Sequence, residues 1–272
     1  MNALKTNAVL QNGKYRIEGV LGQGGFGITY LASQVALNRK VTIKEFFMKE
    51  LCNRDEQTSQ VSVPSMGSVD TVARFRAKFV KEAQTIAALN NPHIIHIHDI
   101  FEENGTAYYV MDYLSGGSLS DLVQRNGVLA EATALGYIRQ VADALSYIHA
   151  RNINHLDIKP SNVLIDGNGN AVVIDFGLSK RYDETGSQTS TTPVGISHGF
   201  APLEQYQPGG VSTFSPTTDI YSLGATLYKL LSGQTPPNAT ALLEADLDLS
   251  RLSASPSTKA AIAAAMQPKR KG

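Results

Sequence analysis

The loop at residues 155–162 constrains this chain most, because it places polar functional side chains between two segments that look buried. Upstream, apolar residues recur at the spacing of an amphipathic helix, which predicts that a helix leads into the loop. They are Leu135, Ile138, Val141, Leu145 and Ile148. Downstream, residues 163–165 and 171–174 are short apolar runs separated by the turn sequence Asp-Gly-Asn-Gly. This pattern predicts an antiparallel hairpin directly after the loop.

The hairpin predicts which polar side chains meet. In an antiparallel pair, the start of the first strand lies opposite the end of the second, which places Asn162 beside Asp175. An amide oxygen and a carboxylate that converge in this way suit a hard cation such as Mg²⁺. Asp157 lies on the same rim and is a candidate base, and Lys159 is a candidate phosphate contact.

Composition sets broad limits on the class of protein. The chain has 272 residues with 42% hydrophobic content, enough for one large domain or two lobes. Lys and Arg together number 24, as do Asp and Glu, so bulk charge favours neither nucleic acid nor an anionic membrane as a partner. The single cysteine, Cys52, excludes an internal disulfide framework and fits a reducing compartment, with a disulfide-free exported protein as the alternative. No apolar run approaches the roughly 20 residues that span a bilayer, and no signal peptide is visible, so we expect a cytoplasmic domain.

A glycine cluster at residues 22–27 precedes residues 28–31, which read as a strand. Glycines let backbone N–H groups approach phosphate oxygens closely. A dinucleotide-binding fold is an alternative, but its last glycine should open a helix, and Ile-Thr-Tyr-Leu begins a helix poorly. A plain hairpin turn is the other alternative.

The apolar pattern of residues 41–44 predicts a strand that carries Lys44. The tip of Lys44 could reach a cleft, although a lysine on a strand is ordinarily a surface residue. Apolar spacing predicts a helix over residues 72–89, with Glu82 near its middle. The polar stretch between them, residues 50–70, reads as an insertion, in which residues 60–64 could form a small strand.

His93, His96 and His98 raise the question of a metal site, because imidazoles at short spacing can share an ion. Isoleucines alternate with them as in a strand, and no carboxylate or cysteine stands at metal-site spacing. The sequence therefore favours a core strand over a metal site here.

Taken in chain order, these features resemble the protein kinase family. The resemblance covers about residues 15–266 and implies an α+β, bilobal fold with a β-rich N-lobe and a mostly helical C-lobe. It predicts a lead-in at residues 1–14, an N-lobe at 15–111 with the 50–70 insertion, a hinge at 112–114, and a C-lobe at 115–272 that we expect to be truncated. The matching set is the glycine cluster, Lys44, Glu82, Asp157 with Asn162, Asp175, Glu204 and Asp219.

The resemblance implies transfer of the γ-phosphoryl group of ATP to protein Ser or Thr hydroxyls, with ATP and Mg²⁺ as cofactors. It makes Asp157 the catalytic base, with Mg²⁺ on Asn162 and Asp175. Lys44 would contact the α- and β-phosphates, and Glu82 would pair with Lys44. Lys159 points to the serine/threonine branch. The implied nucleotide-binding residues are Leu21, Gly22, Gln23, Gly24, Gly25, Phe26, Gly27, Thr29, Thr42, Lys44, Met111, Asp112, Leu114 and Leu164.

Further family features follow in the second half of the chain. The hydroxyl-rich residues 187–192 would belong to the activation segment, and Ser197 would lie next to the catalytic aspartate. Glu204 aligns with the glutamate that closes that segment, and Arg270 is the candidate for its arginine partner. Asp219 would accept backbone hydrogen bonds from the catalytic loop and so act as structural support.

The sequence departs from the family at three positions that bear on function. Leu156 replaces the usual arginine of the catalytic loop, which removes a partner for an activation-loop phosphate. Thr29 and Thr42 add hydroxyls where the family has Val and Ala against the adenine, which bears on ATP affinity. The alternatives are a pseudokinase scaffold, disfavoured by the intact catalytic residues, and a small-molecule phosphotransferase of related fold, disfavoured by Lys159 and Glu204. Beyond a Ser/Thr protein substrate, we expect appended domains outside this sequence.

Overall fold

The computed structural model describes residues 2–176, 180–181, 196–206 and 215–268. These residues divide into two units. The first comprises the described residues up to Asn90 together with Ile95–Tyr113. The second comprises Asn91–Ile94 and the described residues from Leu114 onwards.

The first unit is built on an antiparallel sheet of six strands in the order β1-β2-β3-β4-β8-β7. A separate two-stranded ribbon, β5 with β6, lies in the insertion. The strands are β1 Val9–Leu10, β2 Tyr15–Gln23, β3 Gly27–Gln34, β4 Arg39–Phe46, β5 Asn53–Arg54, β6 Val61–Ser62, β7 Ile97–Glu103 and β8 Thr106–Asp112.

The glycine cluster forms the turn between β2 and β3. Gly27 is the first residue of β3 and does not begin a helix. This argues against a dinucleotide-binding fold, in which the last glycine of the cluster begins a helix. A Cβ atom at Gly27 would lie 2.8 Å from the carbonyl oxygen of Glu45, so only glycine allows β3 and β4 to approach this closely.

The helix predicted over residues 72–89 is α1, Val69–Ala87. It packs on the sheet through Phe79, whose ring centroid lies 5.8 Å from that of Phe46 and 5.0 Å from that of Tyr109. Ala83 and Ile86 are buried on the same helix.

The insertion covers one face of the sheet. Its predicted strand is present as β6, which pairs with β5, and Val61 N–H donates to the carbonyl oxygen of Asn104. Arg54 of β5 is buried against the fully buried carboxylate of Glu45 on β4. The lead-in contributes Leu4 and Leu10 to the core, the insertion contributes Cys52, and the segment between β4 and the insertion contributes Phe47 and Met48.

The second unit is mainly helical. Its helices are α2 Leu119–Asn126, α3 Glu131–His149, α4 Pro216–Ser232 and α5 Pro256–Ala265. The predicted lead-in helix is α3, and Ile138, Val141, Leu145 and Ile148 are all buried. Its short strands are β9 Ile153–Asn154, β10 Val163–Ile165, β11 Ala171–Val173 and β12 Lys180–Arg181.

Local sequence explains where two of these helices begin and end. A reciprocal capping box starts α2, in which Ser118 and Asp121 each bind the other's backbone N–H. Accepting hydrogen bonds from the backbone and hydroxyl of Ser118 holds the pKa of Asp121 below its usual value. Pro216 stands in the first turn of α4, and Gly233 ends that helix in the left-handed conformation with φ of 70°. Within the described residues, no helix is both long and apolar enough to cross a membrane.

Candidate active site

The predicted hairpin is present as the antiparallel pair β10 and β11. Val163 lies opposite Val173, and Ile165 lies opposite Ala171. One step beyond the strands, Ile174 N–H donates to the carbonyl oxygen of Asn162 at 2.9 Å. The backbone pairing therefore brings Asn162 to the point where the chain turns into Asp175.

Asp219 holds the loop that precedes the hairpin. Its carboxylate accepts the backbone N–H groups of His155 at 2.9 Å and of Leu156 at 2.7 Å. The ring Nε2 of His149, at the end of α3, lies 2.8 Å from the same carboxylate. Asp219 is fully buried, so the predicted role as support for the loop is confirmed by its contacts.

The backbone of Leu156 adopts an uncommon conformation inside this loop. Its φ is +67°, a left-handed value that a branched side chain adopts only when its surroundings enforce it. The side chain is buried, and Gln205 Nε2 donates to its carbonyl oxygen at 2.9 Å. Asp219 thus binds the backbone N–H of Leu156, and Gln205 binds its carbonyl oxygen. Both backbone polar groups of the residue before Asp157 are therefore held in place.

Asp157 accepts hydrogen bonds from three side chains. Lys159 Nζ lies 2.8 Å from Oδ2, and Asn162 Nδ2 lies 2.8 Å from the same oxygen. Ser197 Oγ donates to Oδ1 at 2.5 Å. Lys159 also donates to Ser197 Oγ at 2.9 Å, and because an ammonium group only donates, the serine proton must point at Asp157. The contact predicted between Ser197 and the aspartate is present.

The two carboxylate oxygens of Asp157 differ in how many further hydrogen bonds they can accept. Within the described residues, Oδ2 accepts two hydrogen bonds and Oδ1 accepts one. Each carboxylate oxygen has about two acceptor positions. Oδ1 is therefore the oxygen that can still accept a proton from a bound molecule.

Asn162 is oriented so that its oxygen suits a cation. Its Nδ2 donates to both the carbonyl oxygen and Oδ2 of Asp157, at 2.9 and 2.8 Å, which uses both amide hydrogens. The amide oxygen is therefore the atom left to contact a ligand. Asp175, which follows Ile174, has φ of +59°, a conformation that aspartate tolerates better than most residues. Amide and carboxylate oxygens are the donors that Mg²⁺ prefers, so this pair fits the ion.

In the first unit, four of the residues predicted to bind a nucleotide share one face of the sheet. Thr29 on β3 lies opposite Lys44 on β4, and Thr42 lies opposite Met111 on β8. Cross-strand partners face the same side, and residues two apart on β4 do as well. Lys44 Nζ lies 5.9 Å from the ring centroid of Tyr109 on this face. The opposite face carries Glu45 and the covering insertion.

Glu82 is placed on the side of α1 that contacts this face. It lies one turn beyond Phe79, whose ring packs on Tyr109, and residues three apart on a helix share a side. The fold of the first unit thus brings Lys44 and Glu82 to the same side of the sheet.

The remaining predicted residues are spread over both units. Residues 21–26 of the glycine turn are exposed, and Gly24 N–H donates to the carbonyl oxygen of Gly27 at 2.9 Å. Asp112 ends β8, Leu114 begins the larger part of the second unit, and Leu164 is the middle residue of β10.

Some residues of interest were not found from the sequence, and others lie outside the described residues. Gln205 was missed, because nothing in a local pattern shows that a buried amide holds the backbone of Leu156. Glu204 accepts a hydrogen bond from Thr218 Oγ1 at 2.8 Å. Its expected partner Arg270, the glycine after Phe176 and the hydroxyl residues 187–192 all lie outside the described residues.

The fold and site define a class of protein. A model of the protein kinase domain family matches residues 15–255. A solved structure titled "PpkA-294 apo form" superposes with a TM-score of 0.81 and 27% identity, covering 98% of this chain and 93% of that one. The chain belongs to the protein kinase domain family, and the predicted α+β kinase fold is confirmed.

Within the family, this chain is similar to bacterial serine/threonine kinases. It is 35% identical over 225 residues to the serine/threonine-protein kinase PrkC of Bacillus subtilis, covering 83% of this chain and 31% of that protein. It is 33% identical over 227 residues to the serine/threonine-protein kinase PknB of Mycolicibacterium smegmatis, covering 82% and 33%. The chain therefore spans about a third of the length of these relatives.

Proposed function

We propose that this domain transfers the γ-phosphoryl group of ATP to Ser or Thr hydroxyls of a protein substrate. The observation that carries the proposal is the hydrogen-bonded Asp157, which accepts from Lys159, Asn162 and Ser197 and keeps acceptor capacity on Oδ1. The similarity to bacterial serine/threonine kinases supports the reaction class and the kind of substrate. A cytosolic location is part of the same proposal.

In this mechanism, Asp157 orients the substrate hydroxyl and receives its proton on Oδ1. The hydroxyl oxygen forms a bond to the γ-phosphorus as the bond from phosphorus to the bridging oxygen of ADP breaks. The ammonium group of Lys159, 2.8 Å from Oδ2, counters the negative charge that collects around the acceptor. Ser197 fixes the carboxylate, so little reorganisation is needed at the moment of transfer.

The nucleotide would be held by the residues that the family resemblance assigns to it. We propose that the backbone of the glycine turn and Lys44 contact the phosphates, with Glu82 orienting Lys44, and that Thr29, Thr42, Met111, Leu164 and the backbone of Asp112 and Leu114 surround the adenine. Asn162 and Asp175 would hold Mg²⁺, which neutralises phosphate charge when bound.

The test is to incubate the purified domain with γ-labelled ATP, Mg²⁺ and a generic basic protein. Label on the protein supports the proposal. ATP binding without transfer would instead indicate a scaffold that has kept the kinase fold, and label found only on small molecules would indicate a small-molecule phosphotransferase. The matched control is Asp157→Asn, which removes the proton acceptor while preserving side-chain size.

A further inference from the structure

Two histidines and an aspartate meet at the start of β7, and of the three only Asp112 is also assigned to the proposed nucleotide site. His96 Nδ1 lies 3.1 Å from His98 Nδ1, and their ring centroids are 4.6 Å apart. His98 Nε2 lies 2.7 Å from Asp112 Oδ1. The ligand atoms of these residues all lie within 4.8 Å of one another, and all three belong to the first unit.

The sheet register produces this meeting. β7 pairs with β8 through Ile97 opposite Met111, and the register then shifts so that Asp99 lies opposite Val110. His98 is the extra residue at this irregularity, and a bulge re-aims the side chain it carries. Asp112 N–H donates to the carbonyl oxygen of His96, which ties the end of β8 to the segment before β7. The carboxylate that the sequence spacing did not reveal therefore stands beside His98.

Hydrogen-bond chemistry fixes which nitrogen of His98 is available to a metal. An ionised carboxylate only accepts, so Asp112 makes Nε2 the protonated nitrogen of a neutral His98 ring. Its Nδ1 then presents a lone pair toward His96. A histidine that donates one ring N–H to a carboxylate and binds metal through the other nitrogen is a recurrent arrangement in metalloproteins.

The spacing of the two Nδ1 atoms matches a shared ion. Two nitrogen ligands of a tetrahedral Zn²⁺, each about 2.0–2.1 Å from the metal, lie about 3.3 Å apart. The observed 3.1 Å needs a shift of a few tenths of an ångström. A metal ion would replace the proton shared between the rings, with the proton of His96 moving to Nε2. His96 is exposed, so solvent can supply the remaining ligands.

We propose that His96 and His98 bind a divalent cation of the Zn²⁺, Ni²⁺ or Cu²⁺ class through their Nδ1 atoms, with Asp112 orienting His98. Imidazole ligands favour these ions over Mg²⁺, which prefers oxygen. The site therefore differs in metal class from the oxygen donors Asn162 and Asp175.

The test is titration of the tag-free chain with Zn²⁺, in excess Mg²⁺ to occupy oxygen sites, followed by calorimetry. We expect one Zn²⁺ per chain at this site and a loss of affinity of tenfold or more in His96→Gln and in His98→Gln. The matched control is His93→Gln, because His93 Nδ1 lies 3.0 Å from the carbonyl oxygen of Ala171 and takes no part in the cluster. Equal Zn²⁺ affinity in all three variants, or no saturable binding, would overturn the proposal.

A second measurement does not depend on how the variants fold. In the unmodified chain, Zn²⁺ should shift the imidazole NMR resonances of His96 and His98 and leave those of His149 and His155 in place. Shifts confined to other histidines would contradict the assignment. Both readouts follow metal binding alone, so their result is independent of whether the domain proves to be an active kinase.

Discussion

The carboxylate of Asp219 accepts the backbone N–H of Leu156 at 2.7 Å, from a position with no solvent exposure. This contact links α4 to the loop that carries Asp157, and the backbone N–H of His155 and the ring of His149 share the same carboxylate. The geometry of the proposed catalytic aspartate therefore depends on a residue that would take no part in the chemistry.

Replacing Asp219 by alanine should destabilise the domain and lower its activity together. The change leaves two buried N–H groups and the His149 ring without their acceptor, at a cost of about 3 kcal/mol or more in unfolding free energy. Urea unfolding measures the loss. The control is Asp248→Asn, because Asp248 has a side chain that is 62% exposed. Equal stability of the Asp219→Ala variant and the unmodified domain would contradict the supporting role.

The buried pair of Glu45 and Arg54 should couple the insertion to the strand that carries Lys44. Tyr30 and Tyr108 also donate to Glu45, at 2.6 and 2.8 Å. Burial first, and then the Glu45 charge, raise the pKa of both phenols, which therefore stay protonated donors at neutral pH. Arg54→Met should cost about 3–5 kcal/mol, because it leaves a buried carboxylate without its cation.

A double-variant cycle separates this coupling from loss of packing. Urea unfolding measures the loss of unfolding free energy in each variant. The loss in the double variant, Glu45→Gln with Arg54→Met, should be smaller than the sum of the losses in the two single variants by at least about 1 kcal/mol. Strict additivity would mean that Glu45 and Arg54 do not stabilise the fold through each other.

Phosphorylation of the hydroxyl-rich residues is not expected to be the main activating event. Leu156 is buried and cannot supply the guanidinium that anchors an activation-loop phosphate. Replacing Ser187, Thr189, Ser190, Thr191 and Thr192 together by alanine should leave most activity toward an added substrate, with Ser197 unchanged. A loss of about a hundredfold, equivalent to roughly 2.7 kcal/mol, would show that another cation replaces the missing arginine.

Asp175→Ala should abolish the dependence of ATP binding on Mg²⁺. The change leaves the amide oxygen of Asn162 as the protein's remaining proposed ligand, which is too weak alone to hold the ion. Titration of nucleotide with and without Mg²⁺ measures the difference. Asp143→Asn is the control, since Asp143 contacts Asn91 on the surface. Mg²⁺ dependence that survives in Asp175→Ala would show that the ion is held elsewhere.

Much of the catalytic segment could be predicted because its signals are local. The turn sequence after Ile165 sets the hairpin register, and that register places Asn162 next to the peptide that leads to Asp175. The apolar spacing of α1 likewise indicates which side carries Glu82. In both cases, neighbours along the chain determine the geometry.

Contacts that depend on long-range register could not be predicted in this way. Asp112 reaches His98 only because the pairing of β7 with β8 is irregular, and a sequence pattern does not show where a bulge falls. Gln205 reaches Leu156 across 49 residues of chain. The 50–70 insertion likewise contacts the sheet through the pair of Arg54 and Glu45, which a local sequence pattern does not show.

The most direct test of the proposed function compares Asp157→Asn with the unmodified domain in two assays on the same preparation, phosphoryl transfer and nucleotide binding. Transfer should fall by about 10²–10⁴-fold, because the amide cannot accept the substrate proton. ATP affinity should change by less than about twofold, because the aspartate orients the acceptor and does not hold the phosphates. Transfer at the unmodified rate, or loss of ATP binding in proportion to loss of transfer, would contradict the assignment of Asp157 as the base.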